Sequence, residues 1–147
     1  LGPSVNVTQK KLRKMIDRES FGETERIIPD YVEHTDEVIG GFFGDYRFLS
    51  NFYYAPVWYE NLQFPSVENA YQAAKVSDLE VREQFTNCPA SESKRLGRFA
   101  SINPQIWDND KRGITAELVF QKFRLHLDLR QDLSEYNQWR YGYGGIY

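Results

Sequence analysis

The sequence is poor in the residues that form disulfides and structural metal sites. Cys88 is its single cysteine, so no disulfide can form within the chain. Its two histidines, His34 and His126, are far apart, and with one cysteine they do not complete the four-ligand set of a structural zinc site. The sequence therefore predicts neither a secreted disulfide scaffold nor a metal or other cofactor.

Long apolar runs and a net positive charge are also missing. No run approaches the roughly 20 residues that a membrane-spanning helix needs, and no basic and apolar leader is present. The formal net charge of −3 gives no overall attraction to nucleic acid, so such a partner would need a local basic patch. We expect a cytoplasmic protein without a membrane partner. The opening Leu-Gly-Pro-Ser is interpreted as a remnant of an expression tag.

Aromatic residues, by contrast, are abundant. They make up 16% of the 147 residues, and apolar residues as a whole make up 41%. This length fits one domain with a hydrophobic core. Most of the Tyr and Phe side chains are expected to pack in that core, and the remainder are candidates for the wall of an aromatic pocket.

The first part of the chain contains one predicted helix followed by extended segments. Thr8 to Glu19 is predicted to be a charged helix that docks through Leu12, Met15 and Ile16, because their i, i+3, i+4 spacing places them on one side. Its Lys and Arg side chains are expected to face solvent. Residues 26–44 are predicted to be extended.

The rest of the chain is predicted to form short strands and then helices. Residues 46–64 are rich in aromatics and predict strands joined by a turn at Glu60-Asn61. A helix capped by Ser66 follows, and residues 134–147 are predicted to be a loop or a short strand. Few strands beside four or five helices define an α+β domain that is mainly helical. The other predicted helices are residues 77–85 with Ser77 or Asp78 as cap, residues 91–100 with Ser91 as cap, and residues 110–126 with Ala116, Val119, Phe120 and Phe123 on the apolar side.

The helix after Ser66 has a polar stripe beside its apolar one. Glu68 lies in the first turn, where the helix dipole favours its ionised form. A glutamate there is also ordinary helix chemistry, so the helix alone does not assign a function. The predicted buried stripe consists of Val67, Ala70, Tyr71 and Ala74, and the polar stripe of Glu68, Gln72 and Lys75.

Segments on either side of this helix supply polar and cationic groups. Arg47, Ser50 and Asn51 lie among aromatics, and residues 94–98 present three cations within about a turn. A carboxylate, aromatic walls and several cations suit a phosphorylated ligand that contains a ring. A solvated helix face is the alternative for the cations. Small residues at positions 70, 73 and 74 would let another group approach the helix closely.

These motifs, taken in order, resemble the YbiA-like, or NADAR, family. The segments "FLSNF" and "SVENAYQAAK" are followed by "SKRLGR", a tryptophan and "VFQKF". The usual family pattern is "FLSNF", "SVEHAYQAAK", "AKRLGR" and a "KF" helix, and such a run is far more specific than a single motif. The match covers Gly44 to Phe123. We take residues 40–147 as the domain, with a shortened C-terminal part, and residues 1–39 as an N-terminal arm.

The resemblance implies an N-glycosidase with a compact, mainly helical α+β fold. Family members cleave early phosphorylated riboflavin-pathway intermediates, or remove ADP-ribose from guanine in modified nucleic acid. Glu68 would be the catalytic carboxylate that orients water and stabilises an oxocarbenium-like transition state. The expected partners are a phosphorylated or ADP-ribosylated small molecule, or ADP-ribosylated nucleic acid. The expected substrate-binding residues are Arg47, Ser50, Asn51, Phe52, Tyr71, Lys75, Lys94, Arg98, Trp107, Asn137 and Trp139.

Two positions depart from the family pattern. Asn69 replaces the usual histidine of "SVEH", and Tyr141 stands where the aspartate of an "E-x-N-x-W-x-D" segment would fall. One alternative function is therefore an ADP-ribose-binding or nucleotide-binding module without catalysis. Another is an interaction protein that works through its N-terminal arm. The sequence does not choose between the two substrate classes, and it gives no indication of the oligomeric state.

Overall fold

The fold is an α+β domain dominated by helices, as predicted. A computed structural model describes residues 3–21, 42, 44–100, 102 and 104–141, with residues 3–8, 19–21, 106 and 137–141 described by their backbone alone. No helix in these ranges is long and apolar enough to cross a membrane. The predicted extended segment at residues 26–44 lies almost wholly outside the described residues. In chain order the elements are α1 (Pro3–Phe21), a 3₁₀ helix (Gly44–Leu49), β1 (Val57–Tyr59), β2 (Leu62–Phe64), α2 (Val67–Ala74), α3 (Leu79–Gln84), α4 (Ala90–Gly97), α5 (Pro104–Leu125) and α6 (Leu127–Tyr141).

The sheet is a single tight hairpin in the described part of the chain. Strands β1 and β2 pair antiparallel, with Val57 opposite Phe64. Glu60 and Asn61 both have positive φ, of 45° and 70°, which is the backbone of a two-residue hairpin turn. The predicted turn and the strands beside it are confirmed, but the prediction of strands at residues 46–56 is wrong. Residues 44–49 form the 3₁₀ helix instead, because their aromatics fill the core from a compact loop rather than from a pleated surface.

Two of the predicted helix caps are confirmed and one is wrong. The Ser66 hydroxyl accepts a hydrogen bond from the Asn69 backbone N–H, and Asp78 caps α3 in the same way. Helix α4 does not begin at Ser91. It begins one residue earlier, after Pro89, whose φ of −61° and extended ψ place it at the N-cap without any side-chain hydrogen bond. The extended ψ of Pro89 thus marks the start of this helix.

Helix α1 is confirmed as a helix, but it docks mainly through a different face from the one predicted, and of the predicted residues only Ile16 is half-buried. Leu12 and Met15 are 56% and 53% exposed, whereas Arg13 and Asp17 are buried. The Arg13 guanidinium donates from Nε and Nη2 to the two carboxylate oxygens of Asp128 in α6, over 2.9 and 3.0 Å. Charged residues can bury when the partner element offers a counter-ion, and a helical pattern alone does not reveal that.

Helix α5 also buries a different set of residues from the predicted one. Phe120 is 68% exposed and Ala116 is exposed, whereas Leu118 and Lys122 are buried one turn apart. Val119 and Phe123 do pack against the core as predicted. The buried face therefore carries a lysine, which the apolar pattern excluded from it.

The prediction of a loop or strand from residue 134 onward is wrong up to residue 141. Helix α6 continues to Tyr141, and the remaining six residues lie outside the described ones. Leu129 is buried, and Leu133 and Tyr136 pack beside it, at i, i+4 and i+7. This helical stripe begins before residue 134, so a search confined to the last stretch could not detect it.

Helix α2 lies in the middle of the fold. It packs against α4, α5 and the hairpin. The larger of two core clusters forms around it, and a smaller cluster lies under the 3₁₀ helix and α6. The larger cluster consists of Val57, Phe64, Val67, Ala70, Ala73, Val76, Phe85 and Leu118, and the smaller of Phe48, Tyr53, Ala55 and Leu129.

Candidate active site

The buried face of α2 is wider than predicted and includes two amides. Val67 and Ala70 are buried as expected, whereas Tyr71 and Ala74 are only half-buried. Asn69 is fully buried, and Gln72, predicted to lie in the polar stripe, is 4% exposed. The small side chain of Ala73 completes this face, and the helix packs against both α4 and α5. Of the polar stripe, Glu68 and Lys75 keep partial exposure.

Glu68 is held in the first turn of α2 by two hydrogen bonds. Its carboxylate Oε1 accepts a hydrogen bond of 2.7 Å from Gln72 Nε2. Its backbone N–H donates to the Asn51 carbonyl oxygen over 3.0 Å. The "FLSNF" loop is thereby joined to the helix that carries the carboxylate. One carboxylate oxygen is fixed from within the helix, while the half-buried side chain keeps access to solvent.

Gln72 depends on a glycine in the neighbouring helix. A Cβ atom at Gly97 of α4 would lie 1.9 Å from Gln72 Oε1 and 2.7 Å from its Cδ. Gln72 Oε1 has no hydrogen-bond partner, and neither does the buried hydroxyl of Ser93, one turn before Gly97. Glu68 therefore orients the Gln72 amide from one side, and the backbone of Gly97 packs against it from the other.

Gly97→Ala is expected to destabilise the protein by about 1–3 kcal/mol, the usual cost of overpacking a core. Gln72 can make room for the methyl group by moving its amide, which would give up the hydrogen bond to Glu68, so the carboxylate should lose its fixed position as well. Urea denaturation measures the stability change. Gly113→Ala in α5 is the control, because its methyl group would meet nothing within 4 Å; a gain of roughly 0.5–1 kcal/mol is expected there. Equal effects at the two glycines would contradict the close packing.

An aromatic wall with a cation beside it adjoins Glu68. The rings of Tyr71 and Trp107 lie 5.1 Å apart between centroids at an angle of 60°. Lys75 Nζ lies 5.4 Å from the centroid of Tyr71 and 6.0 Å from that of Trp107. Burial lowers the pKa of Lys75, and the Glu68 carboxylate opposes this shift. The structure thus brings four of the predicted site residues into one cluster.

The "FLSNF" loop supplies the other side of this cluster. Phe52 follows Asn51 directly, and Lys94 Nζ of α4 lies 5.8 Å from the centroid of its ring. Ser50 is buried and accepts a hydrogen bond from the Phe52 backbone N–H at its hydroxyl. The loop therefore carries an aromatic ring with the Lys94 cation beside it, one residue after the Asn51 carbonyl that bonds to Glu68, while Ser50 shapes the loop itself.

Four predicted substrate-binding residues are not placed at this cluster by the contacts of the structure. Arg47 forms a bidentate ion pair with Asp17 of α1: its Nε and Nη2 donate to the two carboxylate oxygens over 3.2 and 3.3 Å. Arg98 is exposed where α4 ends. Asn137 and Trp139 lie in α6, but their side chains are outside the described ones.

Asn69, which replaces the usual family histidine, has a structural position. Its Oδ1 accepts from the Ser66 hydroxyl over 2.6 Å, and its Nδ2 donates to the carbonyl oxygens of Phe85 and Cys88 over 2.9 and 2.8 Å. These bonds tie the start of α2 to the connection between α3 and α4. Both polar atoms of the Asn69 side chain, which replaces the family histidine, therefore form hydrogen bonds within the protein.

Sequence reasoning missed two residues that support the cluster, Gly97 and Lys122. Gly97 is not among the candidate site residues of the sequence. Lys122 belongs to the "VFQKF" motif without a predicted role, yet it is 1% exposed and bonds to the "FLSNF" loop. The run of small residues in α2 was the available signal for Gly97. No local pattern distinguishes a buried lysine from an exposed one.

Two grooves of the described surface lie elsewhere. One runs between α1 and the junction of α5 with α6, and includes Arg13 and His126. The other lies between the hairpin and α5, and includes Trp58 and Asp110. Neither contains Glu68. The candidate site is therefore identified by its chemistry, a fixed carboxylate among aromatic rings and ammonium groups, and not by the size of a cavity.

Comparisons with known proteins identify a family and a similar fold. Residues 39–139 match the NADAR domain family. The E. coli protein YbiA, solved by NMR, is similar in structure with a TM-score of 0.52 and 27% sequence identity; the match covers 59% of this chain and 53% of YbiA. The similarity thus spans about half the length of YbiA. No curated protein sequence matches the chain significantly. Because the family match covers well over half of its residues, the chain belongs to the NADAR domain family.

Proposed function

We propose that the protein is an N-glycosidase. It hydrolyses a ribose C1′–N bond in a phosphorylated nucleoside-like compound or in an ADP-ribosylated substrate. The observation that carries this proposal is the carboxylate of Glu68, which is fixed by Gln72 in the first turn of the central helix and flanked by aromatic rings and ammonium groups. Membership of the NADAR family supports the reaction class.

Glu68 supplies what breaking a ribose C1′–N bond requires. The sugar gains oxocarbenium character as the bond breaks, so negative charge near C1′ stabilises the transition state. The same carboxylate can orient a water molecule and accept its proton. The hydrogen bond from Gln72 leaves the second carboxylate oxygen for these tasks. The N–H bond to Asn51 keeps the helix start, and with it the carboxylate, in place.

The surrounding groups suit the two ends of such a substrate. Phe52 and Trp107 offer aromatic faces on which a base can stack. Lys75 and Lys94 supply the positive charge that a phosphate or diphosphate needs. Arg98 extends this charge at the end of α4. Asn137 and Trp139 remain proposed contacts from α6.

A product assay by mass spectrometry tests the reaction and names its substrate. The purified chain is offered an ADP-ribosyl-guanosine oligonucleotide and, in parallel, the phosphorylated pyrimidine intermediate of riboflavin synthesis. We expect release of unmodified guanine from the first or of free base from the second. Release from neither, at enzyme concentrations that match the substrate, would contradict an N-glycosidase of these two classes.

A binding module without catalysis is the second candidate. Tyr141 stands where the family pattern has an aspartate, and the loss of one site carboxylate is the observation that favours it. A ligand that binds only the folded state raises the melting temperature in proportion to the logarithm of its concentration. Stabilisation by ADP-ribose, together with complete recovery of an intact substrate, would decide for this candidate.

A further inference from the structure

Lys122 is a charged residue in the interior of the described fold. Its ammonium donates hydrogen bonds to the carbonyl oxygens of Phe48 and Ser50, over 2.6 and 2.8 Å. It also lies 5.9 and 5.2 Å from the ring centroids of Tyr53 and Phe123. A buried ammonium is costly to desolvate, so a site that needed only packing would be better served by an apolar residue. The lysine is therefore there to bind these two carbonyls.

The two carbonyls belong to the loop that anchors the candidate catalytic helix. Phe48 lies in the 3₁₀ helix and Ser50 follows it. The next carbonyl along the chain, that of Asn51, accepts the hydrogen bond from the Glu68 backbone N–H. A continuous path of hydrogen bonds and one short piece of backbone thus joins the side chain of Lys122 to the first turn of α2.

We propose that Lys122 is a positioning residue for Glu68: its ammonium fixes the segment from Phe48 to Asn51, and this segment holds the start of α2. The catalytic part of this proposal rests on the proposed function, whereas the structural part does not. Lys122 does not contact the carboxylate, so it acts only through the loop.

Charged groups from several elements surround this ammonium. Arg13 and Asp17 face it from α1, Arg47 from the 3₁₀ helix, and His126 from the end of α5. Burial first, and then the like charges of the two arginines, lower the pKa of Lys122 to about 7, and Asp17 opposes the shift. The ammonium therefore loses its proton near neutral pH, and its two bonds to the loop then lose their charge assistance.

This titration should affect the loop and the whole fold in opposite directions. Above a pH of about 7 the hydrogen bonds to the loop weaken, because the amine is neutral. The unfolded lysine still binds its proton up to about pH 10, so the unfolded state binds more protons in this range. The contribution of Lys122 to the free energy of unfolding therefore rises with pH between these values. A buried lysine that holds the loop through its ammonium should therefore loosen the loop, yet stabilise the fold, as the pH rises.

Amide hydrogen exchange in Lys122→Met tests the structural part. The backbone N–H groups of Tyr53 and Glu68 both bond to this loop, and we expect them to exchange about tenfold faster or more. The N–H of Phe85, the residue directly after α3, is the internal reference and should change by less than about twofold. Lys14→Met, at an exposed lysine of α1, is the matched control. Unchanged exchange at Glu68, or an equal rise at Phe85, would overturn the proposal.

Wild-type protein provides a second test that needs no folded variant. Exchange at Glu68, corrected for the intrinsic dependence on pH, should accelerate about threefold or more between about pH 6 and about pH 9, while exchange at Phe85 should not. Exchange at Glu68 that slows relative to exchange at Phe85 over this range would overturn the proposal. Lys122→Arg keeps the charge. Exchange at Glu68 should be slow in this variant, and it should depend less on pH than in the wild type because arginine stays protonated.

Activity assays then separate this proposal from the proposed function. In a protein that releases free base, Lys122→Met should lower kcat more than it raises KM, and Lys122→Arg should recover part of the loss. Faster exchange with unchanged kcat would overturn the positioning role. If no substrate is cleaved by the wild type, the proposed function fails, yet the exchange measurements still decide whether Lys122 holds the loop.

Discussion

Replacing Glu68 with glutamine is expected to lower turnover about 100-fold or more, the usual scale for the loss of an acid–base group. The amide cannot accept a proton from water, and it brings no negative charge to the developing oxocarbenium ion. The measurement is the rate of free-base or guanine release by the product assay, at saturating substrate. Binding should weaken much less than turnover, because the aromatic rings and ammonium groups are unchanged.

The fold should tolerate Glu68→Gln. The backbone N–H bond to Asn51 does not involve the side chain, and Gln72 Nε2 can donate to the new amide oxygen as it does to the carboxylate. The loss of a negative charge in the first turn of a helix costs about 0.3–1 kcal/mol. Melting curves should therefore shift only slightly.

Glu80→Gln provides the matched control for this substitution. Glu80 is an exposed glutamate in the first turn of α3, so it undergoes the same chemical change in the same helical position. We expect wild-type turnover from it. Wild-type turnover in a folded Glu68→Gln protein would remove Glu68 from the mechanism. Equal losses in the two variants would show that the assay reports stability rather than chemistry.

The sequence was sufficient for the parts of the site that are local. Ser66 caps α2 as its position before a helical stripe predicts, and Glu68 consequently lies in the first turn. The positive φ values at Glu60 and Asn61 likewise follow from a turn flanked by aromatic strands. Each of these features depends on neighbours within a few residues, so a local pattern contains the necessary information.

The remainder of the site depends on contacts between distant elements. Lys122 is buried because two carbonyls 74 and 72 residues away need a donor. Gln72 is buried because Gly97 leaves room for it. Hydrophobic periodicity assigns such polar residues to the surface, and it did so for both. The order of the family motifs predicts which segments form the site, but it does not show which polar side chains of those segments face inward.

Arg13→Met is expected to lower the free energy of unfolding by about 3–5 kcal/mol, the cost of leaving one partner of a buried ion pair uncompensated. Arg13 bonds to both carboxylate oxygens of Asp128 and also donates to the Tyr54 carbonyl over 2.9 Å. Urea denaturation at neutral pH measures the loss. Lys10→Met is the control, because the Lys10–Asp132 pair is partly exposed and should contribute at most about 1 kcal/mol.

The double variant Arg13→Met/Asp128→Asn should recover much of this loss, because the neutral amide no longer needs a counter-ion. The difference between wild type and Arg13→Met should also narrow in acid. Burial opposes ionisation of Asp128, but the Arg13 guanidinium outweighs it and holds the pKa of Asp128 below its usual 3.8. The stabilisation from the pair is therefore complete above that value and is lost as the pH falls through the lowered pKa.

This pair decides whether α1 is part of the domain or an appended arm. Helix α1 lies before the region that matches the family, which begins at residue 39, yet Arg13 connects it to α6 and Asp17 connects it to Arg47 beside the "FLSNF" loop. A large loss in Arg13→Met would make α1 a structural support for that loop. A free energy of unfolding within about 0.5 kcal/mol of wild type, the range of ordinary surface substitutions, would mean that α1 does not dock in solution. Arg47 would then lack its ion pair with Asp17, and the substrate binding predicted for it from the sequence would gain support.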